Sequence, residues 1–495
     1  MTTHTDVLIV GAGPTGLALA VDLARRGTHA LVVERADALF PGSRGKGIQP
    51  RTQEVFDDFG VLDALRAQGG TYPVGMIWQD GQRQGEHRMF DEVEATEAEP
   101  YAGHALMVPQ WRTQEILFAR LTELGGSVAF GRELVGLAQD ADGVTASFAS
   151  GTPVLARYVV AADGGRSAVR RALGIGMTGE TVDPAPALVA DIRVTGLDRD
   201  NWHFFPPTDA ADSEGGFLAI CPLPHTEDFQ LAAGFADPSA RPDLSLDGIR
   251  KLVATRTHLA PDDVTEVRWA SDFRPRAAMA DRFRQGRVFL AGDAAHVHSP
   301  AGGQGLNTSV QDAYNLGWKL AAVLRENAPA ALLDSYEEER MPIAAQMLGL
   351  STGVHRGEVR RGVATQQLGL GYRGCALAVE TRVGLPEGAL RAGDRAPDGT
   401  RAGVHLFDAF RGPHWTLLTV GTEGTADTDG TDTGVPALPG TCTSTGVRAV
   451  RIPAYEAYGS GVFLVRPDGY VGWAGESARG LAEYAALVGL TVHVS

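Results

Sequence analysis

The chain has 495 residues, 44% of them hydrophobic and 21% charged, which is enough sequence for two or three domains with a large apolar core. Its formal net charge of −16 argues against nucleic acid and membrane surfaces as partners, because both carry negative charge. The sequence shows neither a secretory leader nor an apolar run of about 18 residues, so the expected location is the cytoplasm.

A nucleotide-binding pattern comes first in the chain. The stretch "DVLIV" predicts a buried strand and runs into "GAGPTG", where Gly11, Gly13 and Gly16 fit the G-x-G-x-x-G pattern. A helical stretch follows, Gly27 ends it, and "HALVVE" predicts a second strand with Glu34 at its end. This order predicts a dinucleotide site whose glycines admit a pyrophosphate and whose acid binds a ribose 2′-OH, which favours FAD or NAD over NADP.

The loop that follows, "PGSRGKGIQP", combines several glycines with a basic residue that we single out, Arg44. A cation beside flexible glycines can approach a cofactor, and a solvated surface arginine is the alternative. Both interpretations of Arg44 stay open at this point.

A second glycine-rich loop, "GDAAHVHSPAGGQGLN", follows the apolar stretch "RVFLA" and precedes an amphipathic helix. Gly292 and Asp293 therefore lie at the carboxyl end of a strand, where ligands bind in open α/β sheets. The unpaired N–H groups at the start of the helix favour negative charge. A flavin suits this arrangement better than a nicotinamide, since Asp293 can bind ribityl hydroxyls while the helix start faces the ring edge that becomes anionic on reduction.

Two histidines in the same loop, His296 and His298, also suggest a metal or acid–base site. No further cluster of Cys, His or acidic residues completes a set of metal ligands, so we expect no metal. The cysteines, Cys221, Cys375 and Cys442, are too few and too far apart to indicate a disulfide framework.

Three motifs occur in the order typical of one family: "GAGPTG", "VVAADGGRSAVRRALG" with Asp163 and Gly164, and "GDAAHVHSPAGGQGLN". In these motifs the chain resembles the group A flavoprotein aromatic hydroxylases, in the branch of the phenol and polyketide hydroxylases. The resemblance implies FAD as the cofactor and NADPH or NADH as a transient electron donor. It also implies a monooxygenase in which molecular oxygen forms a C4a-hydroperoxyflavin that hydroxylates a phenolic aromatic substrate, with polycyclic polyketides among the candidates.

The resemblance also assigns residues to the cofactor. Around the ADP moiety it places Gly11, Gly13, Pro14, Thr15, Gly16, Glu34 and Arg35. Near the phosphates and the ribityl chain it places Arg44, Gln110 and Asp293, with Gly292 also at the cofactor. Asp163 and Gly164 bridge the FAD and nicotinamide functions in the family, with Asp163 tied largely to local structure. Around the isoalloxazine ring, mainly through the backbone, it places Pro300, Gly303, Gly305, Leu306 and Asn307. No catalytic base can be identified from the sequence.

Between the second and third motifs, stretches such as "ALVADIRV" and "GFLAICPLP" predict an antiparallel sheet. In the family this sheet covers the substrate pocket, which makes Phe204, Phe205 and Ile220 candidates for substrate contact, with core packing as an equal alternative. The tail, with "FLVRPDGYVGWAG", resembles a thioredoxin-like domain. It has Cys442 but no C-x-x-C, so we expect no thiol redox chemistry, and it contains a polar insert that begins at Gly421.

We therefore expect an α/β protein with three parts: a Rossmann-type FAD-binding domain of the para-hydroxybenzoate hydroxylase type, an antiparallel substrate sheet and a thioredoxin-like C-terminal domain. The expected boundaries are 1–180 and 277–385 for the FAD-binding domain, 181–276 for the substrate sheet and 390–495 for the tail. A monomer or homodimer is expected. Two alternatives to hydroxylation stay open: Baeyer–Villiger oxygenation or epoxidation of a polyketide intermediate, and a catalytically inactive flavin-binding sensor or scaffold.

Overall fold

The first part of the chain alternates strands and helices, as predicted for a nucleotide-binding unit. Its strands are β1 (Thr3–Val10), β2 (Ala30–Val33), β3 (Gly47–Ile48), β4 (Val74–Gln79), β5 (Gln82–His87), β6 (Leu106–Met107), β7 (Val128–Ala129), β8 (Leu134–Gln139), β9 (Val144–Phe148), β10 (Val154–Ala161) and β11 (Met177–Thr181). Its helices are α1 (Pro14–Arg25), α2 (Pro50–Asp58), α3 (Leu62–Gln68), α4 (Gln110–Glu123) and α5 (Ala168–Ala172). The structure, a computed structural model, describes residues 3–103, 105–207, 216–421 and 446–491.

The middle of the chain is first strand-rich and then helical. Its strands are β12 (Ala187–Val194), β13 (Asn201–Phe205), β14 (Leu218–Pro222), β15 (Phe229–Gly234), β16 (Val264–Phe273), β17 (Arg276–Ala280), β18 (Arg284–Gln285), β19 (Val288–Leu290) and β20 (His296–Val297). Its helices are α6 (Leu246–Arg256), α7 (Gly305–Arg325) and α8 (Ser335–His355). No helix in the described ranges is both long and apolar enough to cross a membrane.

The tail returns to short strands. They are β21 (Val379–Glu380), β22 (Thr400–Arg401), β23 (Val404–His405), β24 (Trp415–Val420), β25 (Val447–Ile452), β26 (Gly461–Val465) and β27 (Val471–Gly475). Its helices are α9 (Leu406–Phe410) and α10 (Leu481–Leu487). Cys442 and nearly all of the polar insert lie outside the described residues.

The Rossmann-type sheet has the strand order β18-β19-β10-β1-β2-β7, with β19, β10, β1, β2 and β7 parallel. Val7, Leu8 and Ile9 of β1 are fully buried, as expected for a parallel strand that is covered on both of its faces. Helix α1 packs against α7 and α4. The strand ends meet at one edge, which brings the glycines of all three motifs together.

A second sheet has the order β16-β12-β15-β14-β13-β4-β5 and is antiparallel except where β13 pairs with β4. One face carries a core with Ile249 and Val253 of α6. Two of its strands, β4 and β5, come from the part of the chain that we expected to belong wholly to the FAD-binding domain. The substrate sheet is therefore built from two separate segments rather than from 181–276 alone.

The C-terminal domain contains the mixed sheet β21-β27-β26-β24-β25, in which β24 and β25 are parallel. Its apolar core includes Leu418 and Phe463, both fully buried. A buried charge network joins it to α7 and α8, with Arg466 bonded to Glu339 at 2.7 and 2.9 Å. Together the three sheets confirm the predicted α/β fold class, with a Rossmann-type sheet, a mainly antiparallel sheet and an α/β tail.

Candidate active site

The turn after β1 requires glycine at two positions. Gly11 has φ +108°, and a Cβ there would lie 2.3 Å from the carbonyl oxygen of Ala162. A Cβ at Gly16 would lie 2.0 Å from the oxygen of Gly11. Gly13, at the N-cap of α1, is different, because a Cβ there would have no protein atom within 4 Å, so its outer face stays open. This arrangement suits a pyrophosphate that approaches the backbone at the start of the helix.

Glu34 follows β2 and supports the same turn. Its Oε2 accepts a hydrogen bond from the N–H of Ala12 at 2.9 Å, and its Oε1 accepts one from Ala36 at 3.0 Å. A carboxylate oxygen has lone pairs for more than one donor, so these bonds leave capacity for a ribose hydroxyl. Arg35 beside it is exposed. The structure thus gives Glu34 a second task, which is to fix the turn.

The second motif contains Asp163, whose carboxylate binds the start of α5, and the open glycine Gly164. Asp163 Oδ2 accepts hydrogen bonds from Ala168 at 2.7 Å and Val169 at 3.2 Å, at the start of α5. Its Oδ1 is buried and has no hydrogen-bond partner among the described residues. Burial raises the pKa of Asp163, although hydrogen bonds from α5 oppose the shift. Gly164 has φ +81° and an open outer face. An unpartnered oxygen beside an open glycine fits a bound polar group.

The third motif begins at the end of β19 and touches the first. Gly292 has φ +61°, and a Cβ there would lie 2.5 Å from Thr15 Oγ1. Asp293 is exposed, but the neighbouring protein atoms desolvate its carboxylate and so raise its pKa. The charges of His296 and Arg44 oppose this shift. Asp293 and Arg44 therefore lie within electrostatic reach of each other.

The loop before α7 is open on one side. Pro300 and Gly303 are exposed, and Gly303 has φ +64°. Asn307 Nδ2 donates to the oxygens of Gly47 and Gly303, both at 2.9 Å, while its Oδ1 accepts from Gln49 at 2.8 Å. The Asn307 side chain thus joins this loop to the 45–49 segment.

Leu306 and Gln110 hold the same segment from the other side. A Cβ at Gly45 would lie 3.4 Å from Leu306, and Gln110 Oε1 accepts from the N–H of Gly45 at 3.0 Å. Gln110 therefore supports the loop that carries Arg44. Arg44 itself is exposed, with its guanidinium 5.3 Å from the ring of Phe40.

The two histidines belong to a buried network beneath the loop. His296 Nε2 lies 2.6 Å from Asp312 Oδ2, and His298 Nε2 lies 2.9 Å from His296 Nδ1. Asp312 also accepts from Arg340 at 2.8 Å and from the N–H of Gly292 at 3.0 Å. Burial raises the pKa of Asp312, but His296 and Arg340 outweigh it and lower this pKa to about 2. Burial lowers the pKa of His298 to about 3. No cluster in the described ranges has the composition of a metal site.

The three predicted substrate residues lie on β13 and β14, and the pleat places Phe204 on one face of the sheet and Phe205 and Ile220 on the other. Phe205 and Ile220 lie in the apolar core beneath α6, at 4% and 0% exposure. Phe204 lies on the opposite face beside Trp202, with the ring centroids 5.0 Å apart. That opposite face, which we call the cleft face, meets the 40–48 loop. We therefore correct the substrate set: Phe205 and Ile220 are core residues because α6 covers them, and substrate contact by Phe204 stays a prediction.

Several cleft-face contacts were not anticipated from the sequence. Asp191 on β12 accepts from the N–H of Ser43 at 2.9 Å, and burial raises its pKa to about 6. Gly42 packs against Trp269 so closely that a Cβ would lie 2.2 Å from the ring. Lys46 is buried beneath the loop. A lone acid inside the apolar stretch "ALVADIRV" was the available signal for Asp191.

Comparisons with known proteins agree with this geometry. The family described as "FAD binding domain" matches residues 4–351, and the one described as "Aromatic-ring hydroxylase, C-terminal" matches residues 389–489. A flavin-dependent monooxygenase of Mycobacteroides abscessus is 47% identical over 97% of this chain and 99% of its own. The 12-dehydrotetracycline 5-monooxygenase/anhydrotetracycline 6-monooxygenase of Streptomyces rimosus is 35% identical over 96% of each chain.

A solved structure is similar over the full length. Aklavinone-11 hydroxylase, in a ternary complex with FAD and aklavinone, superposes with a TM-score of 0.79 at 30% identity over 99% of each chain. The chain belongs to the family of FAD-dependent aromatic-ring monooxygenases. The predictions of an enzyme, of this family and of FAD with NADPH or NADH as its reductant are confirmed.

Proposed function

We propose that this protein hydroxylates a phenolic ring of a polycyclic aromatic compound, with FAD, NADPH or NADH, and molecular oxygen. The observation that carries the proposal is the meeting of three motifs at the carboxyl edge of the Rossmann-type sheet, directly opposite the aromatic cleft face of the second sheet. The names of the relatives support the substrate class, since they include tetracycline precursors and aklavinone. A cytoplasmic location, where NAD(P)H is available, and a monomeric or homodimeric state belong to the same proposal.

The cofactor-binding residues are assigned in three groups. The ADP moiety would be held by Gly11, Gly13, Pro14, Thr15, Gly16, Glu34 and Arg35. The phosphates and the ribityl chain would be held by Arg44, Asp163, Gly164, Gly292 and Asp293, with Gln110 supporting the Arg44 loop. The ring would lie beside Pro300, Gly303, Gly305, Leu306 and Asn307. The open face of Gly13 and the unpartnered oxygen of Asp163 are the observations that fit this placement.

When bound, FAD would supply the redox chemistry that links NAD(P)H and oxygen to the hydroxylation of the substrate. The protein has to keep water away from the reacting ring, and Trp202 and Phe204 offer apolar surface for this purpose. The free N–H groups at the N-terminus of α7, which begins at Gly305, would stabilise negative charge on a ring bound beside this loop. The network of Asp312, His296 and Arg340 holds that loop in place from beneath.

The deciding experiment follows flavin reduction without oxygen. Purified holoenzyme is mixed with NADPH or NADH, with and without a panel of monocyclic and polycyclic phenols, and bleaching of the flavin absorbance band is timed. Faster reduction with one phenol class, followed by a hydroxylated product when oxygen returns, is the expected result. Conversion of ketones alone to lactones would replace it with Baeyer–Villiger chemistry. A bound flavin that neither nucleotide reduces would indicate a non-catalytic flavoprotein.

A further inference from the structure

Lys46 lies in the segment that touches the proposed flavin-ring loop. Its neighbour Gly45 packs against Leu306, and its other neighbour Gly47 accepts a hydrogen bond from Asn307 at 2.9 Å. The Lys46 side chain therefore leaves the backbone next to the place assigned to the ring, and it points toward the cleft face. The ammonium lies 4.2 Å from the ring centroid of Trp202 on that face.

This ammonium is buried without a counter-ion. Lys46 is 8% exposed, and it forms no ion pair with a carboxylate in the part of the chain that the structure describes. Burial lowers its pKa, while a side-chain hydrogen bond with the Cys221 thiol and the charge of Asp191 oppose the shift and Arg361 adds to it. Asp191 is directed to the N–H of Ser43 instead, at 2.9 Å. A buried cation of this kind is costly unless a negative ligand joins it.

The walls around Lys46 are aromatic. Tyr72 lies 4.8 Å from Phe90 and stacks on Trp202 at 6.0 Å, measured between ring centroids. A second cation, Arg361, lies 5.5 Å from the Phe90 ring and donates to the carbonyl oxygen of Ala301 at 3.0 Å. Ala301 belongs to the proposed flavin-ring loop. Flat aromatic walls and two cations thus meet at the position where a substrate would lie against the ring.

We propose that Lys46 binds an oxyanion carried by the substrate, a phenolate or enolate oxygen on the flat ring system that is hydroxylated. The site then selects aromatic compounds with an ionisable ring hydroxyl over neutral aromatic compounds. On binding, the hydroxyl proton leaves to solvent and the ammonium stabilises the remaining oxygen, which makes the ring more electron-rich. Lys46 acts as a substrate-binding residue, and the inference rests on the proposed function, because that function places the substrate here.

The use of lysine at this position is itself informative. The chain has 44 basic residues, and only Lys46, Lys251 and Lys319 are lysines. Lysine gives a compact charge that can meet one oxygen atom in a narrow space, whereas arginine presents a wide planar fork. In a chain that otherwise uses arginine, a buried lysine between two glycines suits a contact with a single oxygen atom better than an arginine would.

The test uses alizarin, a planar hydroxyanthraquinone whose colour changes when a ring hydroxyl ionises, and its dimethyl ether, which cannot ionise. Both are titrated into the FAD holoenzyme and followed by difference absorbance. Wild type should bind alizarin as its anion, and Lys46→Met should bind it about 10- to 100-fold more weakly, as expected for the loss of one hydrogen bond to a charged group. Affinity for the dimethyl ether should not change. Lys251→Met, at an exposed position on α6, is the matched control.

A second readout observes the lysine directly. With ¹³Cε-labelled lysine, the chain gives one signal for each of its three lysines, and Lys46→Met assigns the relevant one. Alizarin should shift the Lys46 signal and leave that of Lys251 in place. FAD retention shows that Lys46→Met is folded, and Lys46→Arg should recover part of the alizarin affinity.

Equal affinity of wild type and Lys46→Met for alizarin, or an unmoved Lys46 signal, would overturn the inference. In that case Lys46 would only stabilise the fold. Equal affinity of wild type for alizarin and for its ether would also overturn it. The two proposals fail separately: Lys46-dependent alizarin binding without phenol-stimulated flavin reduction would refute the hydroxylase, and the opposite combination would refute only the role of Lys46.

Discussion

Replacing Arg466 with alanine tests whether buried charges hold the C-terminal domain against the FAD-binding helices. Arg466 forms paired bonds to Glu339 on α8, at 2.7 and 2.9 Å, and to Asp468, at 2.9 and 2.6 Å. Glu339 also accepts from Lys319 on α7 at 2.7 Å. All four side chains are at most 1% exposed, so solvent screens these charges very little.

The magnitude follows from the charge count. The four groups are neutral together, and Arg466→Ala leaves one unbalanced negative charge in the interior. Breaking a buried pair in this way costs about 3–5 kcal/mol of unfolding free energy. The matched control is Arg373→Ala, because Arg373 pairs with Asp394 of the C-terminal domain at the surface, with 54% of its own side chain exposed. An exposed pair of this kind contributes about 0–1 kcal/mol.

The assay is urea unfolding followed by tryptophan fluorescence, since Trp318 and Trp415 lie at the domain contact, with their ring centroids 5.3 Å apart. The double variant Glu339→Gln with Arg466→Met restores neutrality and should recover part of the loss, as a double-mutant cycle measures. Burial raises the pKa of Glu339, but Arg466 and Lys319 outweigh it and lower this pKa from 4.5 to about 2.

This stabilisation is therefore complete above pH 4.5 and declines as the pH falls toward 2, so the difference between wild type and Arg466→Ala should narrow over that range. The reasoning is refuted if Arg466→Ala is no more destabilising than Arg373→Ala at neutral pH.

Three further predictions concern the cofactor turn, the two faces of β13 and the buried acid Asp191 on β12. Gly13→Ala meets no protein atom, so the apoprotein should unfold at an unchanged urea concentration while the Kd for FAD rises about tenfold or more; unchanged flavin retention would contradict the ADP assignment. Phe205→Ala should cost about 3–5 kcal/mol in urea unfolding, whereas Phe204→Ala should weaken the binding of phenols with little loss of stability; the reverse result would contradict the assigned faces. Burial raises the pKa of Asp191 from 3.8 to about 6 in the folded protein, so its ionisation disfavours the folded state as the pH rises through this range. Asp191→Asn should therefore be more stable than wild type above pH 6 and lose that advantage below pH 4. A difference in urea midpoints that does not depend on pH would count against this reasoning.

The cofactor turn could be predicted because its physics is local. The positive φ of Gly11 and the close approach at Gly16 depend on residues within one strand–turn–helix unit, which the spacing of the glycines reveals. The same holds for Glu34 at the end of β2. These residues are close in the sequence and also contact one another in the structure, so a local pattern is enough to place them.

The second sheet and its faces could not be predicted in the same way. β5 is exposed along its whole length and has no apolar alternation, so no periodicity marks it as a strand. The adjacent aromatic residues Phe204 and Phe205 give either face an apolar side chain, and only the position of α6 decides between them. Lys46 has surroundings drawn from distant segments, and the scarcity of lysine in the chain was the one available signal.

The second sheet is assembled from residues 74–87 and 187–273, with strands of the FAD-binding unit between them. A recombination event that exchanged a single continuous gene segment would therefore transfer only part of the second sheet. Strand β13 would then pair with a β4 from the other parent. New substrate ranges in this architecture are more accessible through point substitutions on the cleft face than through domain exchange. An engineer who wishes to transplant specificity must move two segments together.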